Sequence, residues 1–194
     1  MTHILFVCMG NICRSPIAQV VAQHLAAGNT QKNVGLLGRL TGQSRSTVGA
    51  YRFDSAGTHA QQHAGEPPDP RSVDALKKRG YTVGKMRARK VVAQDFSEFD
   101  LIVAMDADNV RALELICPAA QQHKIKRLLD FLPVAGSAAG ASPHSTAQSA
   151  DKDVPDPYYG NQAGFEHVLD LCEAGVRGLL AAITQGKAGI KSAT

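Results

Sequence analysis

A single α/β domain, a doubly wound sheet of about four parallel strands flanked by helices, is the fold this chain predicts. Three observations point to it. Short apolar runs rich in β-formers alternate with amphipathic helical runs along the sequence. The stretch L-I-V-A-M at 101–105 is apolar at every position, as a strand covered on both faces must be. The segment C-M-G-N-I-C-R-S at 8–15 joins a strand directly to a helix, and folds of this class bind ligands at such a junction.

The elements follow in order. T-H-I-L-F-V predicts a buried strand at 2–7, and P-I-A-Q-V-V-A-Q-H-L-A-A a helix at 16–27 with Pro16 at its first position. A second strand is predicted at 51–56. Asp69-Pro70 is a cap followed by a first-turn proline, which opens a helix over 70–79, and Gly80 stops it. A strand at 101–104, a helix at 107–116 and a strand at 124–128 come next. The last helix, 162–184, has Phe165, Val168, Leu169, Cys172, Val176, Leu179, Leu180 and Ile183 on one face, a core stripe.

The 194 residues suffice for one domain, 1–194, with a sizeable core. Apolar residues make up 44% and charged residues 20%, which excludes a disordered or membrane-spanning chain. The first apolar run is too short for a signal peptide or a span, and a cytoplasmic location is expected. Four cysteines and seven histidines show no zinc-ligand spacing, so neither metal nor cofactor is expected. Two stretches read as surface insertions. Residues 28–50 hold Lys32, Arg39 and Arg45 without an acid, and with Arg52 they match the whole net charge of +4. Residues 134–152 are rich in Ala, Ser and Gly and read as a flexible loop.

The chemistry concentrates in the 8–15 loop. At a helix N-terminus, unpaired N–H groups and the helix dipole converge on an anion. Cys8 places a nucleophile beneath that anion. Holding a thiol about two pH units below its ordinary value of about 8.5 takes about 2.7 kcal/mol, an amount that N–H donors, a helix terminus and Arg14 could together supply. Arg14 has a planar fork for two phosphate oxygens, which a lysine lacks. Gly10 lets the backbone approach the anion, and Asn11 tolerates a left-handed conformation and braces the loop. Ser15 is placed to donate to the thiolate, and Met9, Ile12 and Cys13 complete the cradle. Asp156, between Pro155 and Pro157, fits two roles equally well: a proton donor to a leaving oxygen, or a cap on the last helix.

F-V-C-M-G-N-I-C-R-S-P and D-P-Y-Y-G resemble the two signature strings of the low-molecular-weight protein tyrosine phosphatases. D-S-A-G-T at 54–58, G-E-P-P-D-P-R at 65–71 and M-D-A-D-N at 105–109 also look like that family. The resemblance covers most of the chain outside the two insertions. It implies a phosphotyrosine hydrolase working through a phosphocysteine, with Asp156 as general acid and Tyr158 and Tyr159 walling the pocket. It also suggests that Cys13 captures oxidised Cys8 as a disulfide. By family analogy the partner is a phosphotyrosine protein, such as a bacterial tyrosine kinase, with no nucleic acid or membrane. The family's aromatic residue at the pocket mouth is replaced here by Gln62 or His63, which weakens aromatic stacking, while the apolar Ile12 favours an aryl phosphate. Two other readings are an arsenate reductase, which would need Cys117 and Cys172 as a resolving pair, and a phosphopeptide-binding module without catalysis.

Overall fold

A computed structural model describes residues 1–32, 51–132 and 152–188 of the chain. β1 (Thr2–Cys8), β2 (Tyr51–Gly57), β3 (Leu101–Ala104) and β4 (Ile125–Arg127) form one parallel sheet in the order β2-β1-β3-β4. Because β1 passes to β2 on one side and lies beside β3 on the other, the strand order reverses at the carboxyl end of β1. A crevice opens at such a point.

Side-chain alternation along β1 builds both halves of the core. Ile4, Phe6 and Cys8 face α1 (Arg14–Lys32), α2 (Pro70–Lys78) and α5 (Gln162–Thr184). Leu5 and Val7 face the short helix α3 (Asp95–Glu98) and α4 (Ala107–Glu114), where Phe96, Phe99 and Leu113 cover them. Seven of the eight stripe residues of the last helix are buried, and Ile183 is half-buried.

The predicted strands and helices are all present, with small shifts at their ends. Pro16 is the third residue of α1 rather than its first. The first turn of a helix has no acceptors for its N–H groups, so proline fits there equally well. α1 also runs through Gly28 to Lys32, beyond the expected stop at 27. Asp69 caps α2 by accepting the Arg71 N–H at 2.8 Å, and Gly80 follows at φ 81°. The sequence missed α3 and the 3₁₀ turns at Ala60–His63, Ala119–Lys124 and Leu128–Phe131, which are too short to show periodicity. Of the two stretches read as insertions, 33–50 and 134–151 lie outside the described residues.

Candidate active site

The turn after β1 is bent around Asn11, the one non-glycine described residue with positive φ, at 57°. Its side chain bonds on both sides: Nδ2 donates to Ser15 Oγ at 3.0 Å, and Oδ1 accepts the Arg89 N–H at 2.9 Å. Three carbonyls of the turn are tied outward. Cys8 O accepts Thr58 N–H at 2.9 Å, Met9 O accepts His59 N–H at 2.9 Å, and Ile12 O accepts Asp69 N–H at 2.8 Å. In a trans peptide the N–H points opposite to the C=O. The amides of Met9, Gly10 and Cys13 therefore face inward, as an oxyanion cradle requires. Gly57 makes room for this turn: a Cβ there would stand 2.5 Å from Met9 O and 3.0 Å from Asn11 N.

Cys8 Sγ lies at the base of the cradle. It accepts the Asn11 N–H at 3.3 Å and lies 3.1 Å from Ser15 Oγ, which donates to the Ala56 carbonyl at 3.3 Å. Cys13 is buried beside it with its thiol pushed up to about 12, first by desolvation and then by the negative charges of Asp69 and Cys8. At neutral pH Cys13 is therefore a thiol.

Arg14 is buried yet charged. Burial works against the guanidinium, but Cys8, Asp156 and Asp106 together raise its pKa above the ordinary value. Nη1 donates to Asp106 at 2.5 Å and to the Val154 carbonyl at 3.1 Å, and Nη2 donates to Asp156 at 2.7 Å. Asp106 also caps α4. A cavity of about 180 Å³ is lined by Cys8, Met9, Gly10, Ile12, Cys13, Arg14, Gln62, His63, Asp156, Tyr158 and Tyr159. Asn11 and Ser15 stand behind it, bonded to the turn. Asp156 does not cap α5, because Asn161 does so by accepting the Gly164 N–H at 3.3 Å.

The sequence profile described as low molecular weight phosphotyrosine protein phosphatase matches residues 3–38 and 41–188. The chain belongs to this family. A Synechocystis relative is 43% identical over 183 residues, spanning 93% of this chain and 95% of the relative. The Bacillus subtilis low molecular weight protein-tyrosine-phosphatase YfkJ is 37% identical, covering 96% of this chain and 99% of its own. Among solved structures, a protein tyrosine phosphatase from Entamoeba histolytica with Hepes in its active site superposes with TM-score 0.73. It shares 35% identity over 96% of this chain and 99% of that one.

Gln62 and His63 both line the mouth of the cavity. His63 stands on the rim, its ring edge 3.3 Å from the position of a Cβ on Gly10 and its centroid 6.2 Å from that of Tyr158. The resolving pair of an arsenate reductase is absent in space: Cys117 packs on one face of the sheet and Cys172, fully buried, on the other. Sequence reasoning missed two supports of the site. Asp106 was visible in M-D-A-D-N but carried no role, and Arg89 gave no local signal, since it meets Asn11 across 78 residues.

Proposed function

We propose that the chain is a protein tyrosine phosphatase that hydrolyses phosphotyrosine monoesters through a phosphocysteine. The observation that carries this is one cavity holding the Cys8 thiol, the Arg14 guanidinium and the Asp156 carboxyl. Cys8 Sγ attacks phosphorus in line, forming an S–P bond as the P–O bond to tyrosine breaks. The inward amides and Arg14 hold the equatorial oxygens. As the phosphoryl oxygens take the Nη2 edge of Arg14, the Asp156 carboxylate leaves its ion pair, takes up a proton from solvent beside the phosphate dianion and passes it to the leaving tyrosyl oxygen. Water then attacks the phosphocysteine, Asp156 takes its proton, and Cys8 leaves with the S–P electron pair. Tyr158, Tyr159 and His63 wall the aryl group, with Ile12 beneath.

The reading extends to a single phosphatase domain over 1–194. A free nucleophilic thiol suits a reducing compartment, so we place it in the cytoplasm. Among the described residues no helix is long and apolar enough to cross a membrane. A bacterial tyrosine kinase is the proposed phosphoprotein partner, on family analogy. Dephosphorylation of a purified autophosphorylated kinase tests it.

The decisive experiment is hydrolysis of an aryl phosphate without added metal. Cys8→Ser is expected to abolish turnover. Asp156→Ala is expected to lower kcat by about 100- to 1,000-fold, least for substrates with a good leaving group. A folded, reduced wild-type protein without turnover would sink the reading in favour of a binding module.

A further inference from the structure

The segment G-K-M-R-A-R-K at 84–90 carries four cations in seven residues and no acid. It runs beside the end of β2, where the Gly57 N–H donates to the Arg89 carbonyl and the Val91 N–H to the Gly57 carbonyl, both at 2.9 Å. It is also bonded to the pocket rim: the Gly65 N–H donates to the Ala88 carbonyl at 2.8 Å, and the Ala88 N–H to the Glu66 carbonyl at 2.9 Å. Met86 packs half-buried and Ala88 buried against the core, which anchors the segment. Arg89 is used internally, paired with Asp54 at 2.9 Å and Asp95 at 3.0 Å. Lys85, Arg87 and Lys90 are exposed, and among the described residues their side chains form no hydrogen bond or ion pair. The acids of this region are committed elsewhere: Asp54 and Asp95 to Arg89, and Glu66 to His63 at 2.7 Å. Three uncompensated cations thus stand one hydrogen-bonded segment away from the Gln62–His63 lip of the cavity.

We propose that this strip docks acidic residues flanking the phosphorylated tyrosine, so that the preferred substrates are phosphotyrosine segments rich in Asp and Glu. The inference rests on the phosphotyrosine reading and names the substrate class of the same site. A phosphotyrosine seated on Cys8 brings its neighbouring residues over the rim. Lys85, Arg87 and Lys90 there lower the energy of an acidic segment relative to a neutral one, through exposed contacts that salt screens.

The test compares two phosphotyrosine peptides, one with Asp and Glu flanks and one with Ser and Gly flanks, alongside a small aryl phosphate. The wild type should favour the acidic peptide in kcat/KM by about tenfold, chiefly through KM, and lose the preference at high salt. The triple variant Lys85→Gln, Arg87→Gln, Lys90→Gln should lose the preference and keep its aryl phosphate activity. Equal rates on both peptides, or a preference that survives the triple change, would overturn the proposal. So would charge-dependent binding to DNA or anionic vesicles without any preference between peptides. Peptide affinity measured with Cys8→Ser separates the two readings. Strip-dependent affinity for the acidic peptide, with no turnover by wild type, would uphold the docking surface and reject the phosphatase.

Discussion

Asn11 holds the turn by two bonds that share one side chain, to Ser15 Oγ and from the Arg89 N–H, while its own N–H meets Cys8 Sγ. Its backbone sits at φ 57°, which asparagine tolerates better than alanine does. Asn11→Ala is therefore expected to lower kcat by about 10- to 100-fold with the fold retained, because the cradle loses its brace. Steady-state kinetics together with circular dichroism checks this. The two neighbouring cysteines differ by environment. Burial and the nearby Asp69 push the Cys13 thiol up to about 12, so a thiolate-selective alkylating agent at pH 7 should spare Cys13. Peptide mapping after brief iodoacetate treatment reads this, and preferential labelling of Cys13 would refute it.

At the scale of elements, glycines set two close approaches. Gly57 ends β2 under the turn, and Gly178 on α5 lies against the 3₁₀ turn Leu128–Phe131, where a Cβ would stand 1.9 Å from the Phe131 carbonyl oxygen. Gly178→Ala must push the turn off the helix, and it should destabilise the protein by about 1–3 kcal/mol. The same change at Gly186, which has open space around it but sits at φ 68°, costs backbone strain alone. Denaturant midpoints of the two variants distinguish a packing clash from strain. The Gly178 site was not legible in the sequence. Gly178 lies off the apolar stripe of the last helix, and a glycine within a helix reads only as a tolerated weak point until the partner turn is in place.

For the whole molecule, the titrating groups predict a stability plateau. Asp69 has its pKa lowered, first by the hydrogen bonds from the Arg71 side chain. Its contribution is present above its ordinary value of about 3.9 and is lost as pH falls below it. Cys13 and Tyr81 are raised to about 12 and Cys172 is raised as well, in each case chiefly by desolvation. Below the ordinary values of about 8.5 for thiols and 10 for tyrosine, their contribution is complete. As pH climbs toward 12 the unfolded chain loses protons that the folded chain keeps, and stability falls. Thermal unfolding between pH 3 and 11 should show loss at both ends, with the alkaline fall reduced in Cys172→Ala relative to its own neutral-pH value.

Most of the architecture was written locally. The strand-loop-helix string at 8–15, the Asp69-Pro70 cap and the one-sided stripe of the last helix each depend on residues within a few positions of one another. Their periods and turn chemistry are readable without a fold. The chemistry proposed for Cys8, Arg14 and Asp156 was likewise carried by residue type and by two distinctive strings. Tertiary structure alone decided what holds that chemistry in place. Asp106 meets Arg14 across 92 residues and Arg89 meets Asn11 across 78. It also ruled Asp156 out as the helix cap and set Cys117 and Cys172 on opposite faces of the sheet. Such contacts join segments by the closure of the parallel sheet. No local period encodes which distant carboxylate or amide will arrive beside a given side chain.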